Sequence, residues 1–328
     1  MQAPELPHRG PRQDAPEDAE WGEIETKRRP TNIRAEQTLD VDERVGAGAQ
    51  RGSRAPQQRL WLHALLFLAT GVSCYVLGGI WYAVGLMAFL LTHEMGHYLM
   101  SVRWGVAASL PYFIPFPSIP YVVDSPFGTM GAVITMRSPM PNRKALMDIG
   151  AAGPIAGFVV ALVIMTIGVG LSHVVVLPDP WPPPGYMAYV FGDSLLMKAL
   201  TWVFHGSIPE GSDLMLHPLA RAGWVGLFVT ALNLLPLGQL DGGHIAYAMF
   251  RKHYDRITQI ATLALLVLVM VSYVWLLFAV LAIFMGRKHP PPLDDYTQID
   301  PVRRWMGYIA IAIFVLCFMP DPLQVVWG

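Results

Sequence analysis

Residues 80–100 read IWYAVGLMAFLLTHEMGHYLM, a long apolar run that carries two histidines and a glutamate near its end. About 20 consecutive apolar residues cross the hydrocarbon core of a bilayer as a helix, so the length fits a membrane span. His93 then sits about ten residues, near 15 Å of helix, from Arg103, the first charge beyond the run. Ionisable groups at that depth are costly and mark functional sites unless they pair with one another.

The chain stays apolar on both sides of this run. Residues 60–79 (LWLHALLFLATGVSCYVLGG) form a preceding candidate span, parted from it by a tight break at Gly78 and Gly79. Further candidates are 150–172, 222–237, 257–285 and 306–319, the first rich in the small residues that let membrane helices approach closely. The 257–285 stretch is too long for one upright span and short for two, so it reads either as one crossing or as a bent hairpin. Residues 106–136, punctuated by proline and rich in β-branched residues, predict a short β-hairpin or edge strand folded into the bundle. The fold class expected is an all-α polytopic membrane protein of about six spans with that insertion.

Charge placement supports the division. Of the 47 Lys, Arg, Asp and Glu residues, 20 fall in 1–56, leaving 27 for the other 272 positions. That is about one in ten, against roughly a quarter in soluble domains. Residues 1–56 cannot bury enough apolar surface to offset the entropy of ordering, which predicts a disordered tail. The domain expectation is therefore a tail over 1–56, a membrane domain over 57–320 and a short C-terminal tail over 321–328. A formal net charge of −1 leaves no basic face for nucleic acid. Cys74 and Cys317 lie in apolar runs and predict packing, not a disulfide or thiolate site. Arg51, Arg54 and Arg59 before the first span place the N-terminus in the cytoplasm, and Arg103, Arg137, Arg143, Lys144, Arg251, Lys252 and Arg256 follow the same rule. The rule fails at Arg287, Lys288, Arg303 and Arg304 if 257–285 crosses once, unless Asp294, Asp295 and Asp300 offset it. The first span is expected to act as the insertion signal, and the setting expected is a bacterial inner membrane.

The motif His93-Glu94-Met95-Gly96-His97 carries the chemistry. Four residues of helix turn through about 400°, which leaves the two imidazoles about 40° apart on one face, suited to one metal. Glu94 stands beside them as a proton acceptor for water. A catalytic zinc takes a third protein ligand and keeps one position open. The candidate is Asp241, in NLLPLGQLDGGH over 233–244, where Pro236 and Gly238 should break the fourth helix at the same depth. Two alternatives stand beside it: Asp241 as an ordinary helix cap, and His244 as the ligand instead. His63 reads as a hydrogen-bonding bundle residue, while His173, His205 and His217 lie near the opposite face. Residues 194–204 read as an interfacial amphipathic helix.

This His-Glu-x-x-His in a membrane helix, followed by Asn-x-x-Pro and Leu-Asp-Gly, resembles the site-2 protease family of intramembrane zinc metalloproteases. The stretch FGTMGAVITMRSPMPNRKALMDIGAAGPIAGF over 127–158 is similar to the subgroup without a PDZ domain. The resemblance covers about residues 60–320. It implies one Zn2+ per chain held by His93, His97 and Asp241, Glu94 as catalytic base and Asn233 as a substrate-supporting polar group. It also implies a transmembrane protein substrate, unwound and held edge-on by the 106–136 region, within the lipid bilayer. The rival expectations are a membrane metal-binding or transport protein and a non-hydrolytic family member. Transport would want ionisable groups along a continuous path, and the later spans are nearly bare of them.

Overall fold

The computed structural model describes residues 59–118, 125–284 and 289–328, and the expected tail over 1–56 lies outside them. Among the described residues helix dominates, and the longest element, α1 (Leu60–Arg103), contains 44 residues. A straight helix of that length would measure about 66 Å, twice the roughly 30 Å hydrocarbon core. Gly79, with φ 76° and ψ −175°, breaks it into two arms of about 20 residues each. That backbone state is open only to glycine, which is why the break falls there.

The chain continues through strands β1 (Tyr112–Pro115) and β2 (Thr129–Val133) into helix α2 (Arg143–Gly170). The two strands pair antiparallel, with a register shift between Phe113 and Pro115, and lie against α1. Helix α2 starts seven residues before the expected span, because the Asn142 side chain accepts from the Ala145 N–H at 2.9 Å and caps it. Of the described helices, α1 and α2 are long and apolar enough to cross a membrane.

Between them and the C-terminus come β3 (His173–Val176), β4 (Met187–Phe191), α3 (Leu195–His205), β5 (Ser212–Met215), α4 (Pro218–Asn233) and α5 (Asp241–Phe250). Helix α3 occupies the stretch expected to be amphipathic: Met197 is its buried residue, while Leu195, Trp202, Val203 and Phe204 are exposed. The 257–285 stretch forms two helices, α6 (Tyr254–Val269) and α7 (Val274–Phe284), which part at Met270–Tyr273 and pack on each other. The stretch is therefore broken at Met270–Tyr273 and is not one continuous helix. Helix α8 (Pro301–Cys317) follows, capped by Asp300, whose side chain accepts from the Arg303 N–H. Residues 323–327, expected within a tail, form strand β6 (Leu323–Trp327) paired with β4, while β3 pairs with β5.

The core is where α1, α2 and α4 meet, with α5 and α8 also packed on α2. Trp224 of α4 stacks on Phe228 at 5.5 Å between centroids, and Phe228 meets Trp275 of α7 edge-on at 6.3 Å. Both indoles have their polar edges satisfied. Trp224 Nε1 donates to the Gly192 carbonyl and Trp275 Nε1 to that of Pro320, each at 2.7 Å. The outward side of α1 carries Leu65, Leu68, Val72, Tyr75 and Val76, all exposed.

Candidate metal centre

The second arm of α1 presents His93 and His97 one turn apart, both almost fully buried. Their rings meet edge-on with centroids 5.0 Å apart, and the two Nε2 atoms are 3.2 Å from each other. The third group comes from α5. Asp241 Oδ2 lies 3.3 Å from His93 Nε2, and Oδ1 lies 3.3 Å from His97 Nε2.

Local backbone explains how Asp241 arrives there. Helix α4 ends at Asn233, and the chain reverses through Leu234–Leu240 with Gly238 at φ 50°. A Cβ on Gly242 would lie 2.0 Å from the Leu234 carbonyl oxygen, and one on Gly243 2.4 Å from that of Gly238. Only glycine fits at these two closures, so the Asp-Gly-Gly order is a steric requirement of the turn. Asp241 is the first residue of α5 and its carboxylate turns to the two rings.

Helix α2 forms the opposite wall, and its small residues are part of the site. A Cβ on Gly153 would lie 2.0 Å from His97 Nε2, and one on Gly157 2.9 Å from His93 Nδ1. Gly96 is similarly tight, 2.7 Å from the Ala152 carbonyl oxygen. In the sequence the small residues of 150–172 read as packing surface; the spacing of Gly150, Gly153 and Gly157 on one helical face is the signal that marks a closer approach. The Ile149 carbonyl lies 2.7 Å from His97 Nδ1. A proton on Nδ1 donated to that oxygen leaves the Nε2 lone pair facing Asp241, the usual way an imidazole ligand is oriented. His93 Nδ1 is buried with no partner among the described residues.

Glu94 is buried. It opens with His93 onto a cavity of about 500 Å³. Strand β2 forms one wall; Phe228 and Asn233 of α4 and Leu277 and Phe278 of α7 form others. Asn233 Nδ2 is 3.3 Å from His93 Nε2.

The other histidines lie elsewhere. His244 Nδ1 meets His289 Nε2 at 2.6 Å, within an aromatic group that includes Tyr247 and Tyr254. Burial pushes His244 down to about 4, with the neighbouring His289 adding to the shift, and burial lowers His289 as well. His63 Nδ1 meets the Pro111 carbonyl at 3.0 Å, and His205 Nε2 that of Val169 at 2.8 Å. His217 caps α4 by accepting from the Leu219 N–H.

His93, His97 and Asp241 are the one group of three potential ligand residues among the described residues, their ligand atoms all within 4.8 Å of one another. Two imidazole nitrogens and a carboxylate oxygen converging in a buried pocket suit a borderline cation such as zinc.

Comparison with known proteins agrees with this geometry. The chain is 32% identical over 248 residues to the probable zinc metalloprotease EGY2, chloroplastic, of Oryza sativa subsp. indica, covering 73% of this chain and 41% of that relative. It is 31% identical over 242 residues to the probable zinc metalloprotease EGY1, chloroplastic, of Arabidopsis thaliana, covering 73% and 42%. To the probable zinc metallopeptidase EGY3, chloroplastic, of Arabidopsis thaliana it is 28% identical over 251 residues, covering 72% and 41%. The chain thus spans about two fifths of the length of these relatives. No solved structure matches it. Residues 81–277, which contain both histidines, Glu94, Asn233 and Asp241, match peptidase family M50, and the chain belongs to that family, the site-2 proteases.

Proposed function

We propose that this protein is an intramembrane zinc endopeptidase that hydrolyses peptide bonds of membrane-embedded substrates near the cytoplasmic leaflet. One observation carries the reading: the Asp241 carboxylate, from a distant part of the chain, meets both imidazoles of the His-Glu-x-x-His helix beside Glu94 and an apolar cavity. The relatives' names as zinc metalloproteases agree with it.

His93, His97 and Asp241 would hold the zinc. When bound, zinc supplies Lewis acidity that brings water into the range of a nucleophile near neutral pH and polarises a carbonyl. Glu94, facing the cavity, takes the proton from the attacking water and returns it to the leaving amine. The Ile149 carbonyl fixes the His97 ring. Asn233, at the cavity wall, donates from its amide to the polar atoms of the substrate. The substrate is a transmembrane protein whose cleaved segment lies extended along β2, where strand addition would satisfy its backbone.

The surrounding organisation follows the same reading. A membrane domain of about six spans follows the 1–56 tail, with α1 supplying two of them, and the arginines before the first span put the N-terminus in the cytoplasm. The relatives named above are chloroplastic, so the expected bacterial inner membrane finds no support in them.

The test is Glu94→Gln in the full chain, co-expressed with a membrane substrate and assayed for metal. Retained zinc with a cleavage loss of about 10²-fold or more supports the reading, and undiminished proteolysis overturns it.

A further inference from the structure

The start of α8 reaches back to the metal-bearing wall at one point. Asp148, buried in α2, receives the Arg303 guanidinium side-on: Nε donates to Oδ1 at 2.8 Å and Nη2 to Oδ2 at 2.6 Å. The Trp104 indole, at the end of α1, donates to the same Oδ2 at 3.1 Å. Arg303 also lies over the Trp104 ring, 5.7 Å from its centroid, and is held from behind by Asp300. Three helices, α1, α2 and α8, therefore meet on one carboxylate.

This junction is aligned with the metal centre. Trp104 follows His97 by seven residues, which returns to within about 20° of the same face of α1. Asp148 precedes Ile149, whose carbonyl meets His97 Nδ1. Helix α1 meets α2 antiparallel, so the contacts form a ladder: His93 against Gly157, His97 against Gly153 and Ile149, Trp104 against Asp148. Sliding one helix along the other would carry the Ile149 oxygen away from Nδ1 and bring α2 backbone into the space of the His97 ring. A neutral side chain at 303 lacks the two-pronged fork that fixes Asp148 in both distance and angle.

We propose that Asp148 and Arg303 are positioning residues that set the register of α2 on α1 and thereby the orientation of His97 as a metal ligand. The proposal rests on the reading of His97 as a ligand. It assigns no contact with substrate to either residue. The effect expected is that of losing an outer support of a metal ligand, about 10–100-fold in metal affinity.

The experiment measures zinc affinity of the full chain in detergent by competition with a chromophoric chelator, and the visible spectrum of the Co2+-substituted protein. Arg303→Gln should weaken zinc by about 10–100-fold and alter the Co2+ spectrum. Arg303→Lys, which keeps the charge but not the fork, should fall between Gln and the native residue. Lys144→Gln, which removes only an outer ion pair with Asp300, should leave both readouts unchanged. Trp104→Phe removes one of the three hydrogen bonds on Asp148 and carries the test if Arg303→Gln fails to fold. Native affinity and spectrum in folded Arg303→Gln or Trp104→Phe overturn the proposal. Failure of the native chain itself to bind zinc overturns the site reading, and the proposal with it.

Discussion

The His97 ring fills the volume that any side chain on Gly153 would need, a Cβ there lying 2.0 Å from Nε2. The ring cannot simply swing aside, because its other nitrogen is held at 2.7 Å from the Ile149 carbonyl. Gly153→Ala is therefore expected to cost most of the zinc. At Gly157 the approach is 2.9 Å to Nδ1 and 3.1 Å to Cβ of His93, a clash that a few tenths of an ångström relieve. Gly157→Ala should lose less metal than Gly153→Ala. Zinc content of the two purified variants checks the order, and equal retention would show that α2 does not pack on the rings in this way.

Asp241 and His244 are rival ligands on sequence grounds, and they stand in different surroundings. The carboxylate faces both Nε2 atoms at 3.3 Å, whereas His244 is engaged with His289 at 2.6 Å. Asp241→Asn should weaken zinc by more than the about 10–100-fold typical of a supporting residue. His244→Ala should keep one zinc per chain while losing about 1–3 kcal/mol of stability, because His289 is left buried without its partner. Metal analysis and thermal unfolding of both variants, run side by side, read out the two effects.

These contrasts show what the sequence made legible. The His-Glu-x-x-His spacing is local and follows from helix periodicity, whereas local pattern alone leaves Asp241 open between ligand and helix cap, with His244 as its rival. The start of α2 at Arg143 was missed because Arg143 and Lys144 read as loop charges, whereas the Asn142 cap extends the helix through them. The pairing of β6 with β4 joins segments more than 130 residues apart, and no local pattern in 321–328 announces its partner. The same holds for Gly153 and Gly157, whose small size was plain but whose opposing rings come from another helix.

A substrate helix seals its peptide groups in internal hydrogen bonds, and inside a bilayer no water replaces them. The cavity beside Glu94 is walled by β2 and apolar side chains, and the proposed intramembrane cleavage would therefore need a segment already opened. Glycine weakens a helix by about 1 kcal/mol relative to alanine, and that difference converts to about a fivefold change in rate if opening precedes attack. Replacing a glycine near the cut site by alanine should therefore slow cleavage about fivefold. Proline in place of alanine should accelerate it. Cleavage rates of such a substrate series in reconstituted vesicles decide the matter, and rates independent of helix-breaking residues would remove the unwinding step.

Two glycines in the first arm of α1 offer an internal comparison of backbone and packing effects. A Cβ on either Gly71 or Gly79 would meet nothing within 4 Å, so neither substitution creates a clash. They differ in conformation alone: Gly71 lies in regular helix, while Gly79 holds φ 76° and ψ −175°. Alanine at 71 trades a flexible residue for a better helix former and should leave stability unchanged or raise it by up to about 1 kcal/mol. Alanine at 79 is forced into a region its Cβ disfavours and should cost about 1–3 kcal/mol, or straighten the junction between the two arms. Gly79→Ala should thus unfold more readily in detergent than Gly71→Ala. If Gly79→Ala proved as stable as Gly71→Ala, the break would have to be held by something other than the glycine, and the division of α1 into two arms would lose its physical cause.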